Sequence, residues 1–214
     1  MDGTGIPGQR RHTATIVSVN TSGGSELPAV GATGIDKRPV PGAVEVAELG
    51  LAGDVQVDAR NHGGADKAVY AYAFESLAAW EAQLGRSLWP GAFGENLTTV
   101  GLDVDGALVG ETWRVGTALL EVRGPRIPCR KLSVHLERPE LQREFLAARR
   151  PGAYLAVVRP GTVTAGDAVE VVWRPSGAPS VAEVFAARTG GRRTSALRAM
   201  PSQRVLDVPV SAAR

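Results

Sequence analysis

"AYLAVVRPGTVTAGDAVEVVW", residues 153–173, carries two apolar, β-branched runs, 153–159 and 168–173, parted by a glycine-containing turn. Neither run is long enough for a helix. Working outward, the same grammar recurs in "TATIVSVN" (13–20), "AVEV" (43–46), "AVYAYA" (68–73), "ENLTTV" (95–100), "ETWRVG" (111–116) and "ALLEVRG" (118–124). Short strands at uneven spacing, with few helices between them, predict a mainly β fold, a closed or nearly closed β-barrel and not a doubly wound sheet. Helical spacing marks "FESLAAWEAQLGR" (74–86) and "RPELQREFLAARR" (138–150), where Pro139 suits a first turn. After Trp173 the composition changes. "RPSGAPS" reads as a linker, followed by a short helix at 181–188, "TGGRR", a weakly helical "TSALRAM" and a frayed end. The expected division is a β domain over 1–174 and a linker with a short helical tail over 175–214.

Of the 214 residues, 43% are hydrophobic and only 5% aromatic, so the core must draw on Val, Leu and Ala. The net charge is +2, which gives no reason to expect a nucleic-acid partner. Seven arginines and two acids lie from Arg174 onward, leaving the preceding chain near −3. The start lacks an apolar run, and no stretch approaches the roughly 20 apolar residues of a membrane span. A cytoplasmic, membrane-free protein is expected, in which a thiol stays reduced.

There is one cysteine, in "GPRIPCRKL" (124–132). A single thiol excludes an internal disulfide, a Cys-rich zinc site and a self-contained iron–sulfur cluster. Pro125 and Pro128 stiffen its approach, and Arg126, Arg130 and Lys131 lie within three positions of it. Nearby cations favour the thiolate, which is both a nucleophile and a soft metal ligand. The alternative is a small buried hydrophobe, the commoner fate of an isolated cysteine.

Three further stretches concentrate polar groups. "GLAGDVQVDARNHGGADKAVYAYA" (50–73) sets Asp54, Asp58, Arg60, His62 and Lys67 around a glycine pair that would let backbone N–H groups face an anion; a polar hairpin is the alternative. "PGAFGENLTT" (90–99) offers Asn96, donor and acceptor together, or an ordinary turn into a strand. "GIDKRPVPG" (34–42) places Lys37 and Arg38 in a basic loop suited to phosphate or simply to solvent. Nucleotide, Walker, serine-hydrolase and zinc-protease motifs are absent.

Taken together and in order, "TGIDKRPV", "HGGADKAVYAY", "PGAFGENLTTVGL", "GPRIPCRKL" and "PGAYLAVVRPGTVTAGDAVEV" resemble the MOSC domain family in its stand-alone, YiiM-type bacterial branch, over roughly residues 13–173. The resemblance implies a mostly antiparallel β-barrel with a few peripheral helices, and association with molybdenum cofactor, a pterin bearing a dithiolene and a phosphate. It makes Cys129 the expected molybdenum ligand. Lys37 would face the cofactor phosphate and Asn96 the pterin edge, Arg126 would lie near the metal, and Arg130 and Arg60 would add charge to the cofactor site. Asp58 and His62 would serve substrate contact or proton delivery beside Cys129 and Arg126. Related members reduce N-hydroxylated compounds such as hydroxylaminopurines with electrons from a separate redox protein. A non-catalytic cofactor carrier and a sulfur-transfer protein using a Cys129 persulfide are the alternatives. A homodimer is an admissible assembly.

Overall fold

The computed structural model describes residues 14–57 and 62–190. Asp58, Arg60 and the weakly helical stretch at 194–200 lie outside the described residues. In chain order the strands are β1 (Thr15–Thr21), β2 (Ser25–Leu27), β3 (Gly31–Thr33), β4 (Arg38–Pro39), β5 (Val44–Ala47), β6 (Gly50–Leu51) and β7 (Val69–Ala73). Helix α1 (Phe74–Leu84) leads to β8 (Leu97–Val100), β9 (Thr112–Val115) and β10 (Ala118–Pro125). Then come α2 (Arg130–His135), α3 (Leu141–Ala148), β11 (Ala153–Arg159), β12 (Gly161–Val163), β13 (Val169–Trp173) and α4 (Val181–Thr189).

Eight strands form one sheet in the order β13-β9-β10-β11-β7-β8-β1-β4. Every neighbouring pair is antiparallel except β7 and β8, which run parallel because α1 crosses between them. The mainly β, mostly antiparallel fold expected from the sequence is found, with two corrections: one pair is parallel, and among the described residues the sheet does not form a closed barrel. Its ends do approach. Ile16 N donates to Asp167 O at 2.9 Å, Gly166 N to Ile16 O at 2.7 Å and Val169 N to Ala14 O at 2.7 Å. Among the described residues, one isolated bridge, Thr15 with Ala168, joins the start of β1 to the residue preceding β13.

Strand β7 explains the layering. All five of its residues are buried. Val69, Ala71 and Ala73 enter a core of Val, Leu and Ala with Leu97, Leu120, Val122 and Leu155. Tyr70 and Tyr72 face the other way, into a second core with Trp80, Phe93, Phe145 and Phe185. A strand covered on both faces reads as a continuous apolar run, which "VYAYA" is. The few aromatic residues are thus concentrated on one side of the sheet, where α1, α2 and α3 cover them. Helix α1 ends at Gly85 in the left-handed conformation, with its N–H bonded to Glu81 O. Helix α3 begins at Leu141, two residues later than Pro139 suggests, and ends at Arg149 at φ 53°. Helix α4 carries a capping box between Ser180 and Glu183 and buries Val181, Val184 and Phe185. Among the described residues, no helix is long and apolar enough to cross a membrane.

Candidate functional site

Two loops and two strand ends meet at the margin of the aromatic core. Strand β10 has a register shift between Val122 and Gly124, where Gly124 adopts φ 148°. Beyond it, Pro125 still pairs with Ala153, and Arg126 follows directly. Cys129, extended at φ −124° and ψ 166°, is the residue from which α2 starts. It is partly buried and lines an open pocket with about 600 Å³ of empty volume. Arg126, Lys37, His62, Asn96 and Asp54 line the same pocket. Five residues that lie far apart in sequence are therefore brought to one cavity with the only thiol.

Arg126 is 4% exposed. Its Nη1 donates to Phe93 O, its guanidinium lies 5.1 Å from the Tyr70 ring centroid, and its charge acts on the Cys129 sulfur. Its Nε is buried with no partner among the described residues. The glycine of "FGEN" makes this placement feasible. Gly94 sits at φ 76°, and a Cβ there would come 3.1 Å from both Arg126 Nη1 and Ile35 Cγ1. His62 lines the pocket beside Cys129, and its Nδ1 lies 3.1 Å from Tyr154 Oη. Tyr154 packs on Tyr70 with ring centroids 5.2 Å apart, as their pairing across β11 and β7 requires. Burial pushes the Cys129 thiol up, but the bond from His62 and the charge of Arg126 outweigh it and bring the group down to about 6. The site therefore holds a thiolate at neutral pH.

The opposite wall is polar and fully bonded. Lys37 is 6% exposed and forms an ion pair with Asp54 Oδ1. Ser22 N donates to that same oxygen at 2.9 Å, and Asn96 Nδ2 donates to Asp54 Oδ2 at 2.9 Å. Asn96 Oδ1 accepts from Tyr70 N at 3.1 Å, so both ends of the amide are engaged within the protein. Behind it, Glu95 is fully buried and accepts from Gly91 N, Phe93 N and Thr98 Oγ1 at 2.6, 3.0 and 3.0 Å. Burial raises its carboxyl to about 7 against the pull of those bonds.

The remaining sequence candidates divide. Arg130 is exposed on α2 and does not line the pocket. The glycine pair does not leave a free nest at Gly64, whose N–H donates to Gln56 Oε1 at 2.8 Å. Asp54, Lys67 and Lys131, which the sequence named without assigning a role, line the pocket, and so does Tyr154, which it did not name. Lys131 is anchored through Nζ to Ala32 O at 2.6 Å. Among the described lining residues, four cations (Lys37, Lys67, Lys131 and Arg126) face one carboxylate, Asp54. The described lining carries a surplus of positive charge. No three His, Cys, Asp or Glu side chains among the described residues are grouped to hold a metal ion.

The sequence profile described as "MOSC domain" matches residues 58–170. An uncharacterized protein of Bacillus subtilis, YflK, is 39% identical over 142 residues, which are 66% of this chain and 64% of that protein. The chain thus spans a little under two thirds of the length of that relative. A protein of Gibberella moniliformis named "Reductase" is 30% identical over 145 residues, 66% of this chain but 26% of that protein. The crystal structure of YiiM from Geobacillus stearothermophilus superposes with a TM-score of 0.72 at 33% identity, covering 85% of this chain and 86% of that one.

Proposed function

The chain belongs to the MOSC domain family, and from that premise we propose that it holds molybdenum cofactor in the Cys129 pocket and reduces N-hydroxylated compounds with electrons from a separate redox protein. The observation that carries this reading is the chemistry of the cavity. The only thiol in the chain stands as a thiolate in a pocket with four cations, one carboxylate and an orphaned, buried guanidinium Nε among its described lining residues. A soft, anionic sulfur is a fitting single protein ligand for molybdenum, and the surplus positive charge fits a cofactor whose dithiolene and phosphate are anionic. The name of the Gibberella relative fits a reductive reaction.

In this role Cys129 is the protein's metal ligand. Arg126 and the lining lysines offset the anionic groups around it. Bound there, the cofactor supplies the two-electron chemistry of N–O cleavage. The overall change is R–NHOH plus two electrons and two protons to R–NH2 and water, so the protein must bring protons to the oxygen that leaves. His62 stands beside the sulfur, oriented through Nδ1 by Tyr154, and is the nearest described group able to carry one. The chain has no nucleotide-binding motif, and a lone thiol cannot collect electron pairs from a nicotinamide, so the electrons are assigned to an external donor.

The decisive experiment is metal and pterin analysis of protein made in a cofactor-competent host, alongside Cys129→Ser, followed by assay on a hydroxylamine-type substrate with a reduced electron donor. Molybdenum in the wild type, its loss in the variant and turnover by the loaded protein are expected. Equal molybdenum in both proteins defeats the ligand role. A loaded protein that never turns over is a carrier.

A further inference from the structure

We infer that Asp54 is a resident anion, occupying a three-donor cradle that the phosphate of an incoming ligand must take over. The inference rests on the reading of the pocket as an anionic-cofactor site and deepens it. The donors are Lys37 Nζ and Ser22 N on Asp54 Oδ1, and Asn96 Nδ2 on Oδ2. Two of the three are fixed independently of Asp54. Asn96 is held by Tyr70 N on its Oδ1 and by Asn20 O, 3.3 Å from its Nδ2. Ser22 is held at its carbonyl by Val55 N at 3.0 Å and at its hydroxyl by Gly24 N at 3.2 Å. The carboxylate they surround comes from residues 52–57 after β6, which form neither strand nor helix, whereas Asn96 immediately precedes β8 and Ser22 immediately follows β1.

Two positively polarised N–H groups and a buried ammonium, converging on two oxygens, form an anion site. A side chain fills it in the ligand-free protein. Lys37, the residue that the family resemblance directs at the phosphate, is therefore neutralised by its own neighbour. A ligand that takes the cradle must offer more than a carboxylate does. A phosphate or phosphate monoester brings a second charge and a third terminal oxygen. A monocarboxylate brings neither and cannot displace Asp54. Asp54 is thus a specificity-determining residue that sets the threshold for the anionic end of the ligand.

The test uses the full-length, cofactor-free protein with inorganic phosphate and acetate as probes, followed by calorimetry and thermal shift. Asp54→Asn keeps the shape but removes the competing charge. It should bind phosphate about tenfold more tightly than wild type, the equivalent of one regained charge-assisted hydrogen bond. Its phosphate-induced rise in Tm should exceed that of wild type, because the anion re-pairs a buried lysine left alone by the substitution. Acetate should bind Asp54→Asn but not the wild type, because the variant has lost the carboxylate that excludes it, and Lys37→Met should lose phosphate binding. Phosphate affinity in Asp54→Asn equal to or below wild type, in a protein with native circular dichroism, overturns the inference. Should Asp54→Asn not fold, the wild type decides through a phosphate-soaked crystal. Phosphate on Lys37 Nζ with Asp54 turned away supports the exchange, and phosphate elsewhere with the ion pair intact refutes it. Pterin content after expression in a cofactor-competent host identifies the source: a rise in Asp54→Asn assigns the cradle to the cofactor phosphate, and an unchanged content with tighter phosphate binding assigns it to free phosphate. Neither phosphate readout needs molybdenum, so both stand or fall apart from the reductase reading.

Discussion

On one wall of the pocket, Asn96 and Asp54, with Glu95 buried behind them, have a partner for every side-chain oxygen and nitrogen. On the other, Arg126 buries an Nε with no partner, and Cys129 carries a thiolate held only by its neighbours' charge and hydrogen bonds. Both walls are polar and both border the same aromatic core, yet they bear opposite costs. A satisfied buried network rigidifies, whereas an orphaned buried donor is expensive to keep. The first wall gives the cavity its shape. The second holds unspent capacity for a ligand, so substitutions on the two walls should fail in different ways.

The largest effect is expected at Cys129. Cys129→Ser should lower molybdenum content at least about 100-fold, beyond the range seen when only the surroundings of a metal ligand are changed. Because the thiol is not part of either apolar cluster, Tm of the cofactor-free protein should move little. Molybdenum analysis beside a thermal melt checks both halves. A large fall in Tm would place the sulfur in the structural wall instead.

Next is Arg126→Met, which keeps bulk and removes charge. In the wild type, alkylation of Cys129 by iodoacetamide should follow a titration with a midpoint of about 6. The variant should move that midpoint upward and slow alkylation at neutral pH by about tenfold. The sign for stability follows from the same shift. The folded value lies below the ordinary thiol value of roughly 8.5, so the thiolate's contribution is full above that pH and is lost as pH falls through about 6. A flat alkylation profile in both proteins would remove the electrostatic distinction between the walls.

The sequence made these walls only partly legible, for identifiable reasons. Strands such as β1, β7, β10 and β11 announce themselves by apolar runs long enough to outweigh their turns. The two- and three-residue strands β2, β3, β4, β6 and β12 have no pattern to read, and the parallel pairing of β7 with β8 is a long-range choice that local periodicity does not record. The six residues of α2 are hidden behind Pro125 and Pro128, which read as a stiff turn. Cys129, Arg126, His62, Lys37 and Asn96 were legible as candidates because residue type and motif order suffice for that. The Asp54–Lys37 pair was not, since seventeen positions separate the partners. Tyr154 was masked by its place in an apolar strand, and only the register that sets it against Tyr70 brings it to the pocket.

Glu95 tests the structural wall. Glu95→Gln presents an N–H2 to backbone donors and should cost about 1–3 kcal/mol, read from denaturant melts. Burial raises the Glu95 carboxyl to about 7, so its favourable contribution is full below the ordinary carboxyl range and is lost as pH rises through about 7. The gap between wild type and variant should accordingly be wider at pH ~5 than at pH ~8. The midpoint of Cys129 alkylation should not change, and that separates this wall from the other.

Gly94 lies where the walls touch, and the smallest expected effect is the most discriminating. Its φ of 76° costs an alanine about 1–2 kcal/mol regardless of the space around it. The new Cβ would also sit 3.1 Å from Arg126 Nη1, which already donates to Phe93 O. If the guanidinium is as firmly held as its burial and its stacking on Tyr70 imply, the backbone must take up the strain. Gly94→Ala should then lower Tm by a few degrees while the Cys129 midpoint stays near 6. If Arg126 instead yields, the charge withdraws from the sulfur and the midpoint climbs, while Tm falls only by what the φ alone costs. Alkylation profiles and melts on this one variant therefore tell whether Arg126 belongs to the rigid frame of the cavity or to its adaptable, ligand-facing side.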